Sequence, residues 1–450
     1  MTYNMAYELG SATAFERGAW LPWLNSHLNR ELGVGALPGG WRDPPSRVGI
    51  DVLLGQLGRP QRRYESILVA GTNGKTTTAR ATAALLQAVG LTVGTFTSPH
   101  LDHLNERISV DGSPITDQSL GSLFAPIAEV ETKMSLELSW FEIVTAAAMM
   151  WFACQEVDLA VIEVGLGGEY DATAVAIPAL FVLTNIDLDH TEFFGATRRE
   201  VASAEASIIE AGNGLVLGEP DPSLRGFFTR RRPHPLWVRG VDFQILRRNL
   251  TEEGQVLTLE TPAACYLDVP ITISGFHHAE NISIALMAAE CVYRPIPDPV
   301  VRQVLSVFRN PGRVELVCGQ PRVLVDGAHN PAGARALAAT LSDSFPGDHR
   351  TFVIGTSVDK PAGKIIAELG IRPSDKVVCC SAENPRALPA SALAEIVRET
   401  LPCTAIEAVQ GVRDALTRAI ESLPSPELVV VTGSLYVVAE ARRMFYDPTH

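Results

Sequence analysis

The residues of this sequence best equipped for chemistry are Gly71-Thr72-Asn73-Gly74-Lys75-Thr76-Thr77. They follow Ile67-Leu68-Val69-Ala70, a short apolar run that reads as a buried strand, and precede an Ala-rich helical stretch from Thr78 to Val89. Strand, Gly-rich turn and helix in that order make a phosphate loop. Gly71 and Gly74 allow a close anion approach that a Cβ would block, and the amides opening the helix point at the anion with the positive end of the helix dipole behind them. Lys75 adds a point charge for the terminal phosphates, and the hydroxyl of Thr76 or Thr77 can ligate Mg²⁺. The spacing Gly-x-x-Gly-Lys-Thr is shorter than the common phosphate-loop pattern.

Four further groups can be placed relative to that loop. In Thr97-Ser98-Pro99-His100-Leu101, just past the strand Thr92 to Phe96, Ser98 and His100 would line a ligand crevice. In Val161-Ile162-Glu163-Val164-Gly165-Leu166-Gly167-Gly168, Glu163 ends an apolar strand. A carboxylate in that position supplies the hard oxygen ligand a second Mg²⁺ contact needs, and it is costly to bury without a cation. In Thr184-Asn185-Ile186-Asp187-Leu188-Asp189-His190, His190 could ligate a second metal or be oriented by Asp189, and the loop could equally be a capped turn. Finally Arg313, Asp326 and His329 fall in Pro311-Gly312-Arg313 and Val325-Asp326-Gly327-Ala328-His329-Asn330-Pro331, where a strand ends and a helix starts. An Arg completing a phosphate site held by another lobe couples phosphoryl transfer to closure.

The elements that must position these groups alternate. Strands at Thr92 to Phe96, Leu159 to Val164 and Phe181 to Thr184 are separated by helical runs at Asp117 to Glu131, Trp140 to Gln155 and Arg198 to Glu210. That is the pattern of an α/β domain with a mostly parallel sheet covered on both faces. A helix near Leu21 to Leu32, a Gly/Pro-rich loop over 33–45 and a short helix at Ile50 to Leu57 form a preamble, while Leu236 to Ile273 reads as an antiparallel appendage. Helices at Ala279 to Cys291 and Pro299 to Phe308 close this part. A second, smaller alternation then starts, with strands near Val323 to Val325, Thr351 to Ile354, Lys376 to Cys379 and Leu428 to Val431. The expected domains are therefore 1–309 and 310–450.

Composition bounds the function. At 450 residues, with 46% hydrophobic and 20% charged, the chain has the balance of a soluble two-domain protein. A net charge of −14 argues against nucleic acid, which needs a basic face. The seven cysteines show no metal or disulfide spacing, and no run of about 18 apolar residues or leader-like start is found. The expected setting is cytoplasmic, away from membranes, and the expected state a monomer.

The ordered motifs together resemble the folylpolyglutamate synthase/dihydrofolate synthase family of the Mur ligase superfamily. The resemblance runs from about Ser46 to Arg443 and rests on the phosphate loop and the four groups above together with Trp140-Phe141-Glu142, Phe276-His277-His278 with Asn281, Asn384-Pro385-Arg386-Ala387-Leu388 and Gly433-Ser434-Leu435-Tyr436. It implies a Mur-ligase-like phosphate-loop ATPase domain joined to a smaller Rossmann-like domain. The implied activity is an ATP- and Mg²⁺-dependent ligation that activates a carboxylate as an acyl phosphate and couples it to an amino acid amine. Glutamate joining dihydropteroate or a folate is the first expectation; another acid or amine, and a phosphate-loop NTPase switch, are the alternatives.

On this resemblance Gly71 to Thr77 would hold the ATP phosphates, Thr76 or Thr77 with Glu163 one Mg²⁺, and His190 a second. Asn281 would meet the adenine, Arg313 the γ-phosphate, Asp326 the nucleotide, and His329 and Ser434 the amino acid. Ser98, His100, Phe141 and Asp171 lie in segments that handle the acid. The sequence also departs from the family pattern. Thr76-Thr77 replace Gly and Ser, Glu169-Tyr170-Asp171-Ala172-Thr173-Ala174 replace Arg-Leu-Asp-Ala-Thr-Asn, and Glu205 stands where a carbamoylated lysine is usual. Glu205 is expected to supply that modified lysine's negative charge as a metal ligand, with a solvent-facing helical Glu as the alternative.

Overall fold

A computed structural model describes residues 17–29, 31, 47–319, 322–346, 349–401, 404–421 and 428–446, without the side chain of residue 192. The expected loop over 33–45 lies outside the described residues.

The apolar runs of the first lobe assemble into β1 (Glu65–Ala70), β2 (Val93–Phe96), β3 (Ile108–Val110), β4 (Ser113–Pro114), β5 (Leu159–Glu163), β6 (Pro178–Leu183), β7 (Gly214–Leu217) and β8 (Leu236–Val238). Their spatial order is β4-β3-β2-β5-β1-β6-β7-β8. All neighbours from β2 to β8 pair in parallel, and β3 and β4 form an antiparallel edge. Central β1 is apolar on both faces because helices cover both. Leu68 and Ala70 pack toward the helix Trp140–Cys154, and Ile67 and Val69 toward the helices Lys75–Ala88 and Phe276–Val292. The β1/β5 register sets Val69 opposite Glu163, which brings the acidic strand end beside the phosphate loop.

A three-stranded antiparallel meander, β9 (Gln244–Thr251), β10 (Gly254–Glu260) and β11 (Cys265–Ile271), follows. The second lobe holds β12 (Glu315–Gly319), β13 (Arg322–Val325), β14 (Arg350–Ile354), β15 (Lys376–Cys379), β16 (Ala405–Ala408) and β17 (Leu428–Thr432) in the order β12-β13-β17-β14-β15-β16. All pairs are parallel except β12/β13.

Several expectations shift. The helix expected to reach Leu32 ends at Asn25, and the one expected to reach Glu210 ends at Ala206, where Ser207 Oγ donates to the Ala204 carbonyl (2.7 Å) and breaks the run. The stretch from Leu236 is not wholly antiparallel, since β8 joins the parallel sheet before the meander begins. Strands β3, β4, β7, β12 and β16 were not anticipated. Each has five residues or fewer, and β12 and β16 are half-exposed edges without an apolar run to betray them.

Candidate active site between the two lobes

The C-terminal ends of β2, β5, β1 and β6 in the first lobe, and of β13, β17 and β14 in the second, with Arg386 from the loop after β15, open onto one cavity of about 1430 Å³. Every residue expected to bind or react lines it except His100.

The phosphate loop leaves β1 with Gly71 at φ +120° and Gly74 at φ +83°. A Cβ on Gly71 would meet Thr184 Oγ1 at 2.3 Å and one on Gly74 would meet Asn281 Oδ1 at 2.3 Å, so both positions need glycine and Asn281 is pressed against the loop. The loop after β6 braces it. Thr184 Oγ1 and Asn185 Nδ2 donate to the Asn73 carbonyl (2.7 and 2.9 Å), and the Asp187 amide donates to Thr72 Oγ1 (2.9 Å). Lys75 Nζ donates to the Gly71 carbonyl at 2.8 Å.

Of the two threonines, Thr76 faces Glu163, its hydroxyl 2.9 and 3.0 Å from the carboxylate oxygens. The expectation for Thr77 as a metal ligand is corrected: its buried hydroxyl accepts from Asn310 Nδ2 at 2.7 Å and ties the loop helix to the start of the second lobe. Glu163 also accepts from the Ser98 amide (3.0 Å). Burial raises its pKa, while Lys75, the Ser98 amide, Thr76 and Arg313 pull it back.

Glu205 is 5% exposed, which removes the solvent-facing alternative, and one carboxylate oxygen has no hydrogen-bond partner. Burial raises its pKa against Lys75 and the Gly71 amide. Among the described residues no group of three or more His, Cys, Asp or Glu is arranged to hold a metal. The convergent Thr76 hydroxyl and Glu163 carboxylate, with a buried Glu205 oxygen lacking a partner, nevertheless suit Mg²⁺. That ion commonly takes one or two carboxylates, its waters and substrate phosphates.

From the second lobe, Arg313 runs so close to Gly327 that a Cβ there would lie 2.0 Å from Nη1. Asp326, beyond β13, accepts from the amides of Val314 and Ala328 (both 2.9 Å); burial raises its pKa and Arg313 opposes. His329 Nδ1 faces the Gly327 carbonyl at 2.8 Å and must donate to it, which turns Nε2 toward Asp189 Oδ2 (3.4 Å). Asp189, from the first lobe, also accepts from Asn330 Nδ2 (3.0 Å) and Lys360 Nζ (2.5 Å). Burial would raise its pKa, but His329, His190 and Lys360 hold it well below the usual carboxylate range. Lys360 and the hub role of Asp189 were missed; Lys360's place just past β14 was the available signal.

At the acid end, two expectations change. His100 lies outside the cavity lining, where its Nδ1 accepts from Arg107 Nε (2.8 Å); burial and that guanidinium push it down to about 4. Asp171 lines the cavity with both oxygens engaged, accepting from the Leu166 amide (2.8 Å), the Thr173 amide (2.9 Å) and the Thr173 hydroxyl. It shapes the glycine loop after β5. Phe141 packs beside Gly165 and Ser434 accepts from the Tyr436 amide (3.2 Å).

A phosphate loop in one α/β lobe, facing an Arg, Asp and His presented by a second, defines a ligase of the Mur type. In agreement, the Mur ligase middle domain matches residues 69–289, and the Mur ligase, glutamate ligase domain matches 312–435. The dihydrofolate synthase/folylpolyglutamate synthase of Mycobacterium tuberculosis is 34% identical over 446 residues, covering 90% of this chain and 91% of that protein. The M. tuberculosis folylpolyglutamate synthase structure complexed with ADP and AMPPCP is similar at TM-score 0.84 and 34% identity, covering 89% of this chain and 96% of that one. The bifunctional folylpolyglutamate synthase/dihydrofolate synthase of Yersinia pestis, complexed with AMPPNP and Mn ion, gives 0.80 at 28% identity, with 97% and 98% covered. The chain belongs to the dihydrofolate synthase/folylpolyglutamate synthase family and is an ATP-dependent acid–amino-acid ligase. Among the described residues no helix is long and apolar enough to cross a membrane.

Proposed function

We propose that this ligase joins glutamate to dihydropteroate or a folate, using ATP and Mg²⁺. The observation that carries the reading is the single cavity in which the phosphate loop, Glu163 and Thr76 face Arg313, Asp326 and His329 across two lobes. A carboxylate is a poor electrophile, so its oxygen first attacks the γ-phosphorus and ADP leaves. The glutamate amine then attacks the acyl carbon of the mixed anhydride, inorganic phosphate departs, and the amine gives up its proton.

In this reading Gly71, Thr72, Asn73, Gly74 and Lys75 cradle the phosphates, and Arg313 neutralises charge at the γ-phosphoryl as the lobes close. Asn281 and the ring of His277, which burial keeps neutral with a pKa lowered to about 4, flank the adenine, and Asp326 meets the nucleotide from the second lobe. Thr76, Glu163 and Glu205 would hold Mg²⁺ and His190 a second ion; the metal's contribution is to spread the charge of the phosphoryl oxygens. His329, its Nδ1 held by the Gly327 carbonyl and its Nε2 beside Asp189, meets the incoming amino acid, whose amine proton passes to the departing phosphate. Ser434 meets the amino acid, and Ser98 and Phe141 meet the acid. The chain acts as a monomer in the cytoplasm, a setting in keeping with six free cysteines among the described residues.

The test is ADP release with dihydropteroate, tetrahydrofolate and a panel of other acids, against glutamate and other amines. Turnover requiring both glutamate and a pterin acid supports the reading. Turnover with a different acid alone replaces the substrate, which the exposed Tyr170 beside Glu169 on the cavity wall would then explain. Turnover needing neither acid nor amine identifies an NTPase switch.

A further inference from the structure

Arg107 is 1% exposed, and its guanidinium is held from three sides. Nε donates to His100 Nδ1 (2.8 Å), the cation lies 4.7 Å from the centre of the Trp140 ring, and Nη1 and Nη2 form a bidentate pair with Glu31 (Nη1–Oε1 2.9 Å). A buried guanidinium cannot shed its charge, so this pocket requires an anion. Burial would raise the Glu31 carboxyl, yet Arg107, with His100 and Arg386 near, holds it below its ordinary value. The site is thus built for a carboxylate, and the one in it belongs to this chain.

Glu31, unlike Arg107, lines the reaction cavity, its side chain 30% exposed. Removing Glu31 would open Arg107 to that cavity. The segment carrying Glu31 touches both lobes. Its described attachments to the first lobe, beyond the ion pair, include the Trp140 amide donating to the Leu28 carbonyl (2.9 Å); Arg386 and Tyr436 of the second lobe donate to the Glu31 carbonyl (2.6 and 3.2 Å).

We propose that the Arg107 pocket is a subsite for a second carboxylate on the acid substrate, and that Glu31 is its built-in stand-in. This rests on the pterin-acid reading above. Dihydropteroate carries a single carboxylate, which is the one activated, so Glu31 stays and neutralises Arg107. A folate with a glutamyl tail brings a further carboxylate, which exchanges with Glu31 in the same bidentate geometry. Swapping one carboxylate for another leaves no buried charge uncompensated, so one pocket serves both acids.

The test compares the full-length chain with its Glu31→Gln variant, measuring kcat/KM for folate monoglutamate and for dihydropteroate. The variant keeps a hydrogen-bonding group but no longer competes as an anion, so the folate-to-dihydropteroate ratio rises about tenfold, the scale of one charge-assisted pair. In parallel, hydrogen–deuterium exchange at residues 26–31 of the unmodified chain increases when folate monoglutamate binds and not when dihydropteroate binds. A ratio that stays the same or falls while ligation proceeds, or equal exchange with both acids, makes Glu31 a structural strap and overturns the subsite alone. No ADP release with either acid overturns the substrate reading as well.

Discussion

Two carboxylates separated by the width of one cleft behave in opposite ways. Glu163, at the end of β5, is buried with its pKa raised, and Glu205, which lines the same cavity, shares that state. Asp189, beyond β6, is also largely enclosed, yet three groups of the second lobe, His329, Asn330 and Lys360, converge on it and its pKa falls. At the phosphate end burial raises both glutamates against the opposing charge of Lys75, a cost that a bound cation would relieve. The amino-acid end is already neutralised by contacts that exist only while the lobes are together. One end is set up to bind an ion and the other to report closure.

The sharpest way to break this contrast is Glu163→Gln. Loss of several kcal/mol of charge stabilisation lowers ADP release about a thousandfold. The variant also changes pH dependence in the ligand-free chain. Glu163, Glu205 and Asp326 have raised folded-state values, so their contribution to stability is full below the ordinary carboxylate pKa and is lost as pH rises through the folded one. Thermal unfolding across mildly acidic pH should show that decline in the parent and a shallower one in Glu163→Gln; parallel curves contradict it.

Asp189→Asn probes the other end with the opposite sign. Because its pKa is lowered, the stability Asp189 contributes is present above the unfolded value of 3.8 and is lost as pH falls through the folded one. The neutral variant loses that acid-side slope. It should open the lobes, read as a larger radius of gyration in solution scattering, and lower turnover about a hundredfold by misplacing His329. An unchanged radius would mean that closure is held elsewhere.

The same contrast explains what the sequence disclosed. Gly71 to Thr77 were legible because a phosphate loop is one strand end and the turn beside it, local in sequence, and Glu163 because an acidic residue ends its own apolar strand. Asp326 and His329 were legible for the same reason in the second lobe. Asp189 as a hub was not, because Lys360 reaches it from 171 positions away and the pairing exists only in the assembled cleft. His100 was placed in the crevice on the rule that residues past a strand end face ligand, and Arg107 drew it behind the wall. Glu31 gave no signal at all: an isolated acidic residue acquires meaning only once Arg107 is seen to be buried and in need of it.

Glu205→Gln sharpens the phosphate end further. As a metal ligand through its free oxygen, Glu205 should support Mn²⁺ affinity in the presence of AMPPNP, and the amide should weaken it about tenfold by paramagnetic titration. Equal affinity in parent and variant would remove Glu205 from the ligand set and leave it as a buried counter-charge to Lys75.

The smallest effect belongs to the joint between the two ends. Asn310 Nδ2 donates to the Thr77 hydroxyl, which is 2% exposed, and thereby fastens the helix behind the phosphate loop to the first residues of the second lobe. Asn310→Ala leaves that hydroxyl buried without its donor, at a cost of about 1 kcal/mol, visible as a lower urea midpoint. Thr77 faces this joint while Thr76 faces Glu163, so metal affinity should hold steady as stability drops. A variant that instead lost Mn²⁺ affinity in step with stability would show that Thr77 belongs to the ion after all, and that the loop's two hydroxyls do not divide the work between chemistry and hinge.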